Sequence, residues 1–200
     1  MNTIDESLKD LTEIRSMMER SSKFLSLSGL AGVSAGVVAL TGAGAAYFTL
    51  NRNETLEQQR NLLGFFIYDA IAVLTFALGL AIFFSVRMAK KKNLPVWNHT
   101  AKYLLYSLLV PLASGGLFCL ILWYHGLVIL IAPSTLVFYG LALLNSSKFT
   151  VTEIRYLALA EIVLGLLATL LLDYWLAFWA IGFGLLHIAY GILIYVKYEK

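Results

Sequence analysis

Five stretches of this chain, six on the widest reading, each hold enough consecutive apolar residues to cross the roughly 30 Å hydrocarbon core of a bilayer. That succession excludes a soluble domain. Of the 200 residues 60% are hydrophobic and only 14% charged, with a mean hydropathy of +0.77, and one core of this size cannot hide so much apolar surface. The sequence predicts an all-α membrane protein of six transmembrane helices in three successive hairpins. The spans fall at 24–50, 62–86, 101–123, 126–144, 154–172 and 175–196, with an amphipathic helix over 1–23 before them and a short tail at 197–200.

The connections alternate between charged and nearly uncharged, and this sets an orientation. Lys9, Arg15, Arg20 and Lys23 precede span 1. Arg87, Lys90, Lys91, Lys92 and Lys102 surround the second connection, Lys148 and Arg155 the fourth, and Lys197 and Lys200 close the chain. Thirteen of the fifteen Lys and Arg thus fall on one side, while Arg52 and Arg60 on the other are balanced by Glu54 and Glu57. The positive-inside rule places the basic side, and both termini, in the cytoplasm. Trp123, Tyr124, Tyr174 and Trp175 mark the outer boundary and Trp97, Tyr195 and Tyr198 the inner one. An echo of Gly116-Leu117 with Tyr139-Gly140 in Gly165-Leu166 with Tyr190-Gly191 hints at an internal repeat of the last two hairpins.

The leader opens with Thr3-Ile4-Asp5-Glu6, a capping box in which hydroxyl and carboxylate each satisfy an orphan backbone donor. Leu8, Leu11, Ile14 and Met18 then share one face, which suits packing on the bundle or docking on a partner. Five acids against four bases argue against an anionic-lipid anchor. The run Ile14-Arg15-Ser16-Met17-Met18-Glu19-Arg20-Ser21-Ser22-Lys23-Phe24, followed by Ser26-Leu27-Ser28-Gly29-Leu30-Ala31-Gly32, resembles a family of uncharacterised bacterial integral membrane proteins of this length, with a charged N-terminal helix leading into a "SLSGLxG" first span. The resemblance implies a bacterial inner membrane and a small winged-helix regulator as partner. It supplies no catalytic residues.

Within span 1, Ser28, Gly32, Gly36 and Gly44 fall on one stripe of small residues that would let another helix approach closely. Acids within the apolar spans are functional candidates, because a charge at the bilayer centre costs at least ~2.5 kcal/mol. Glu161 in span 5 and His187 in span 6 lie roughly 10 and 13 Å from the cytoplasmic face at 1.5 Å per residue, so adjacent antiparallel helices bring them within hydrogen-bonding reach. They are expected to form either a neutral structural pair or a titrating one. Asp69 in span 2 sits at a different depth, near Thr41, Ser134 and Thr135. Pro111 and Pro133 lie in spans 3 and 4, where a proline removes a helix hydrogen bond and favours a kink.

Other classes find little support. A single cysteine, Cys119, excludes an internal disulfide, and His99, His125 and His187 are too dispersed for a histidine metal motif. Gly32-Val33-Ser34-Ala35-Gly36 matches a hydrolase elbow in letters only, since that motif needs a strand-to-helix turn. No metal, cofactor, catalytic constellation or direct nucleic-acid binding is expected. The sequence points to a regulatory or sensory membrane scaffold that contacts a cytoplasmic protein through its leader and basic loop. The alternative is a small oligomeric transporter or channel using Asp69, Glu161 and His187; an intramembrane enzyme comes third. Beyond the lipid bilayer, the candidate partners are that cytoplasmic protein and a second copy of the chain.

Overall fold

Backbone in hydrocarbon must satisfy its own polar groups, and an α-helix does so residue by residue. The computed structural model describes residues 28–52, 56–93 and 95–200, and these are helical nearly throughout, with no strand among the described residues. The leader, with Leu8, Leu11, Ile14 and Met18, lies outside them.

The helices are α1 (Gly29–Arg52), α2 (Leu56–Lys91), α3 (His99–Tyr124), α4 (Ile131–Ser146) and α5 (Glu153–Leu170). A sixth rod follows, built of α6 (Trp175–Trp179), a π-helical turn (Ala180–Leu186) and α7 (His187–Tyr198). Five segments are long and apolar enough to cross a membrane: Gly29–Arg52, Gly64–Lys91, His99–Tyr124, Val128–Phe149 and Leu172–Tyr198. The remaining helix, α5, has 18 residues and carries Glu153, Arg155 and Glu161. Helix α2 runs on to Lys91, absorbing basic residues that the sequence suggested for a connection. Lys and Arg are good helix formers, and cations are favoured at a helix C-terminus. Asn93, at φ 51°, then takes the left-handed position that ends this segment. Asn98 starts α3 by accepting the Ala101 N–H at 2.7 Å, an N-cap bond.

The rods pack in the order α2, α1, sixth rod, α5, α4, α3. Consecutive pairing holds for α1–α2 and α3–α4. The sixth rod, however, leans mainly on α1, and α5 mainly on α4, so the last two rods are not each other's chief neighbours. The reason lies in their glycines. An added Cβ at Gly32 would meet Gly191 Cα at 3.1 Å, and one at Gly36 would meet Gly184 O at 2.6 Å. On the other side, one at Gly140 would meet Ala158 O at 2.8 Å and one at Gly165 would meet Pro133 O at 2.9 Å. Backbones that approach this closely gain dispersion contact along the whole crossing.

The outer rods differ. None of the most apolar stretch of α2, and little of α3, is buried within the chain. At one end of the bundle the last residues knit four helices together. Lys197 and Tyr198 bind Glu153, Glu199 accepts the Gly29 N–H, Ser28 Oγ lies 3.4 Å from Glu199, and Lys92 reaches the Tyr198 carbonyl at 3.3 Å. At the other end a groove of about 540 Å³ opens between α1 and the sixth rod, lined by Leu40, Gly44, Tyr47, Asn51, Asp173 and Trp175.

Candidate functional site

Helix α5 buries a single stripe, Glu153, Ile154, Leu157, Ala158, Glu161, Gly165 and Ala168, at helical spacing. Every member but the two glutamates is apolar or small. Glu161 is 0% exposed, the only acid so completely enclosed among the described residues. Leu136 of α4, also 0% exposed, stands opposite it, and Gly182 of the π-helical turn covers its carboxyl: a methyl there would lie 2.6 Å from Oε2.

His187 follows that turn and is buried beside the same carboxyl, with Nδ1 3.4 Å from Glu161 Oε1. Its hydrogen bonds go elsewhere. Nδ1 lies 3.0 Å from the Gly182 carbonyl, and Nε2 lies 2.8 Å from the Tyr139 hydroxyl of α4. A carbonyl only accepts, so Nδ1 carries the hydrogen; in the neutral ring Nε2 then accepts from Tyr139. The Tyr139, Phe183 and His187 rings pack together, with centroids 5.0 to 5.9 Å apart. Both ring nitrogens are thus satisfied without Glu161, whose two carboxyl oxygens have no hydrogen-bond partner. Buried polar groups are nearly always paired, which makes this carboxyl the most unusual group in the molecule.

The structure therefore brings Glu161 and His187 together, and adds Tyr139 and Gly182, which the sequence reading did not single out for this role. Tyr139 stood in the repeat echo, but nothing in the pattern tied it to His187. Asp69 is remote from this cluster. It lies against α1, where a Cβ on Gly42 would come within 3.4 Å of its carboxyl. The expected hydroxyl partners turn inward: Thr41 bonds the Val38 carbonyl and Thr135 that of Ala132, each within its own helix.

Of the small-residue stripe, Ser28, Gly32 and Gly36 meet the sixth rod or its tail, and Gly29, not foreseen, joins them against Gly191 and Tyr195. Gly44 is a correction: a Cβ added to it would meet nothing within 4 Å, because it faces the groove between α1 and the sixth rod. Pro111 lies inside α3. Pro133 stands in the first turn of α4, where a helix needs no N–H from it. A Cβ added to Gly116 would likewise meet nothing within 4 Å, whereas Gly165, its counterpart in the echo, is wedged against α4. Among the described residues no group of three or more His, Cys, Asp or Glu could hold a metal ion, and Cys119 is a free thiol.

A second carboxyl marks the knitted end. Burial would push Glu153 up, but bonds from the Lys197 ammonium, its own backbone N–H and the Tyr198 hydroxyl outweigh this and hold it below its ordinary value of 4.5. No protein-family model, curated protein or solved structure matches this chain, so its chemistry is read from its own residues.

Proposed function

We propose that this chain is a six-span protein of the bacterial inner membrane, with both termini in the cytoplasm, acting as a regulatory or sensory scaffold. The observation that carries the reading is the knitted end. The ends of α1, α2, α5 and α7 meet there, and the alternation of charge in the sequence assigns thirteen of the fifteen basic residues to that side. The excess of basic over acidic residues assigned to that side supports both the orientation and a docking role toward a protein partner. Glu199 binds Ser28 and Gly29 at the head of α1, which the leader precedes in the sequence. A partner that engages the leader therefore acts on a helix seated against the sixth rod.

The experiment is affinity capture of the solubilised, C-terminally tagged chain, with a second form lacking residues 2–20. A soluble partner retained by the first and lost from the second supports the scaffold. A homo-oligomer without a partner contradicts it. The transporter reading is less well supported, since Asp69 is not part of the Glu161 cluster and no pair of broken helices with opposed half-helix ends is present among the described residues.

A further inference from the structure

The Glu161 carboxyl is enclosed by α4, α5 and the π-helical turn, yet its oxygens bond nothing. We propose that Glu161 is an intramembrane proton-binding site, in which the carboxyl packed against the π-helical turn of the sixth rod carries one exchangeable proton. This holds independently of any partner at the cytoplasmic end.

An ionised carboxylate in this position would be an uncompensated buried charge, the most costly arrangement available to a side chain. The groups that face it cannot neutralise it as arranged. From α4 comes Tyr139, whose hydroxyl donates to His187. From the sixth rod comes His187, whose N–H is held by the Gly182 carbonyl, with Tyr190 packed a turn further on. On α5 itself, Arg155 and Glu153 stand six and eight residues away, about 9 and 12 Å along the axis. Helix α1 touches the sixth rod at Gly32 and Gly36 and brings no ionisable group there.

The ligand is a proton rather than a metal cation. A methyl at Gly182 would already crowd Oε2 at 2.6 Å and Leu136 Cδ2 at 2.5 Å, so the carboxyl is closely packed on that side. Release breaks the carboxyl O–H bond; the proton leaves to water and the electron pair stays on the carboxylate. The nearest donor is then the His187 Nδ1–H, 3.4 Å away, which must leave the Gly182 carbonyl to reach it.

Unfolding of the full chain in detergent, followed from mildly acid to alkaline pH, tests this. The folded bundle keeps a proton that the unfolded chain releases, so stability falls as pH rises. In E161Q, and in E161L, which cannot ionise at all, that alkaline loss disappears. Exchange of sodium for potassium at fixed pH leaves all three chains unchanged. A flat profile in the wild-type chain, an alkaline loss that persists in whichever variant folds, or a stability set by the identity of the alkali cation would each overturn the proposal.

Discussion

Glu153 and Glu161 stand eight residues apart on one helix, both buried, and they solve the burial of a carboxyl in opposite ways. Glu153 sits where the bundle meets its last residues and is bonded by Lys197 and Tyr198. Glu161 sits mid-helix among Leu136, Gly182 and His187 and is bonded by nothing. The first is a fastener, ionised and partnered, whose strength comes from several donors converging on it. The second is held by shape alone, in space that only a glycine opposite can provide. Partners accumulate where chain ends and water are at hand, whereas in a packed interior each added donor must itself be buried.

The contrast breaks most visibly at Gly182. G182A places a methyl against the Glu161 carboxyl and Leu136, and overpacking of this kind costs about 1–3 kcal/mol; thermal unfolding in detergent reads it as a lowered midpoint. E153Q removes the charge that Tyr198 and Lys197 bind. With Lys197 in solvent and screened, about 1 kcal/mol is lost, chiefly at the Tyr198 hydroxyl. The pH signs of the two sites are opposed. Because Glu153 ionises below its ordinary 4.5, its contribution is present above that pH and drains away as pH falls through its lowered value. An acid-side loss of stability is therefore expected in the wild-type chain and reduced in E153Q, while E161Q leaves it in place. The smallest effect sharpens a related contrast on α1: G36A meets the Gly184 carbonyl and is destabilising, whereas G44A meets nothing and shifts stability by no more than about 0.5 kcal/mol. An equal response of the two glycines would contradict the seam between α1 and the sixth rod.

Much of this architecture was legible in the sequence because hydropathy reads in one dimension. Apolar runs gave the long helices, and their near-continuity gave the tight turns at Trp123–Gly126 and Tyr174–Trp175. Depth along the helices also brought Glu161 and His187 to the same level. What one dimension lacks is azimuth. The small-residue stripe of span 1 was visible, but its partner was not, since Gly184 and Gly191 become its counterpart only once the sixth rod is laid against α1. Tyr139 was equally hidden: its link to His187 crosses from α4 to the sixth rod, 48 residues away. The π-helical turn has no pattern of its own beyond Gly182 and Gly184, two small residues among many in such chains. The same limit made Gly44 look like part of the seam and set Asp69 beside hydroxyls that in fact bond their own helices.

Infrared difference spectroscopy of the chain with carboxyl-labelled glutamate, taken between mildly acid and alkaline pH, tests the account most directly. The account predicts a protonated-carboxyl band that fades on alkalinisation, is absent from E161Q and is retained in E153Q. A spectrum without that band, or one in which it survives in E161Q, would show that the buried carboxyl of α5 does not hold an exchangeable proton.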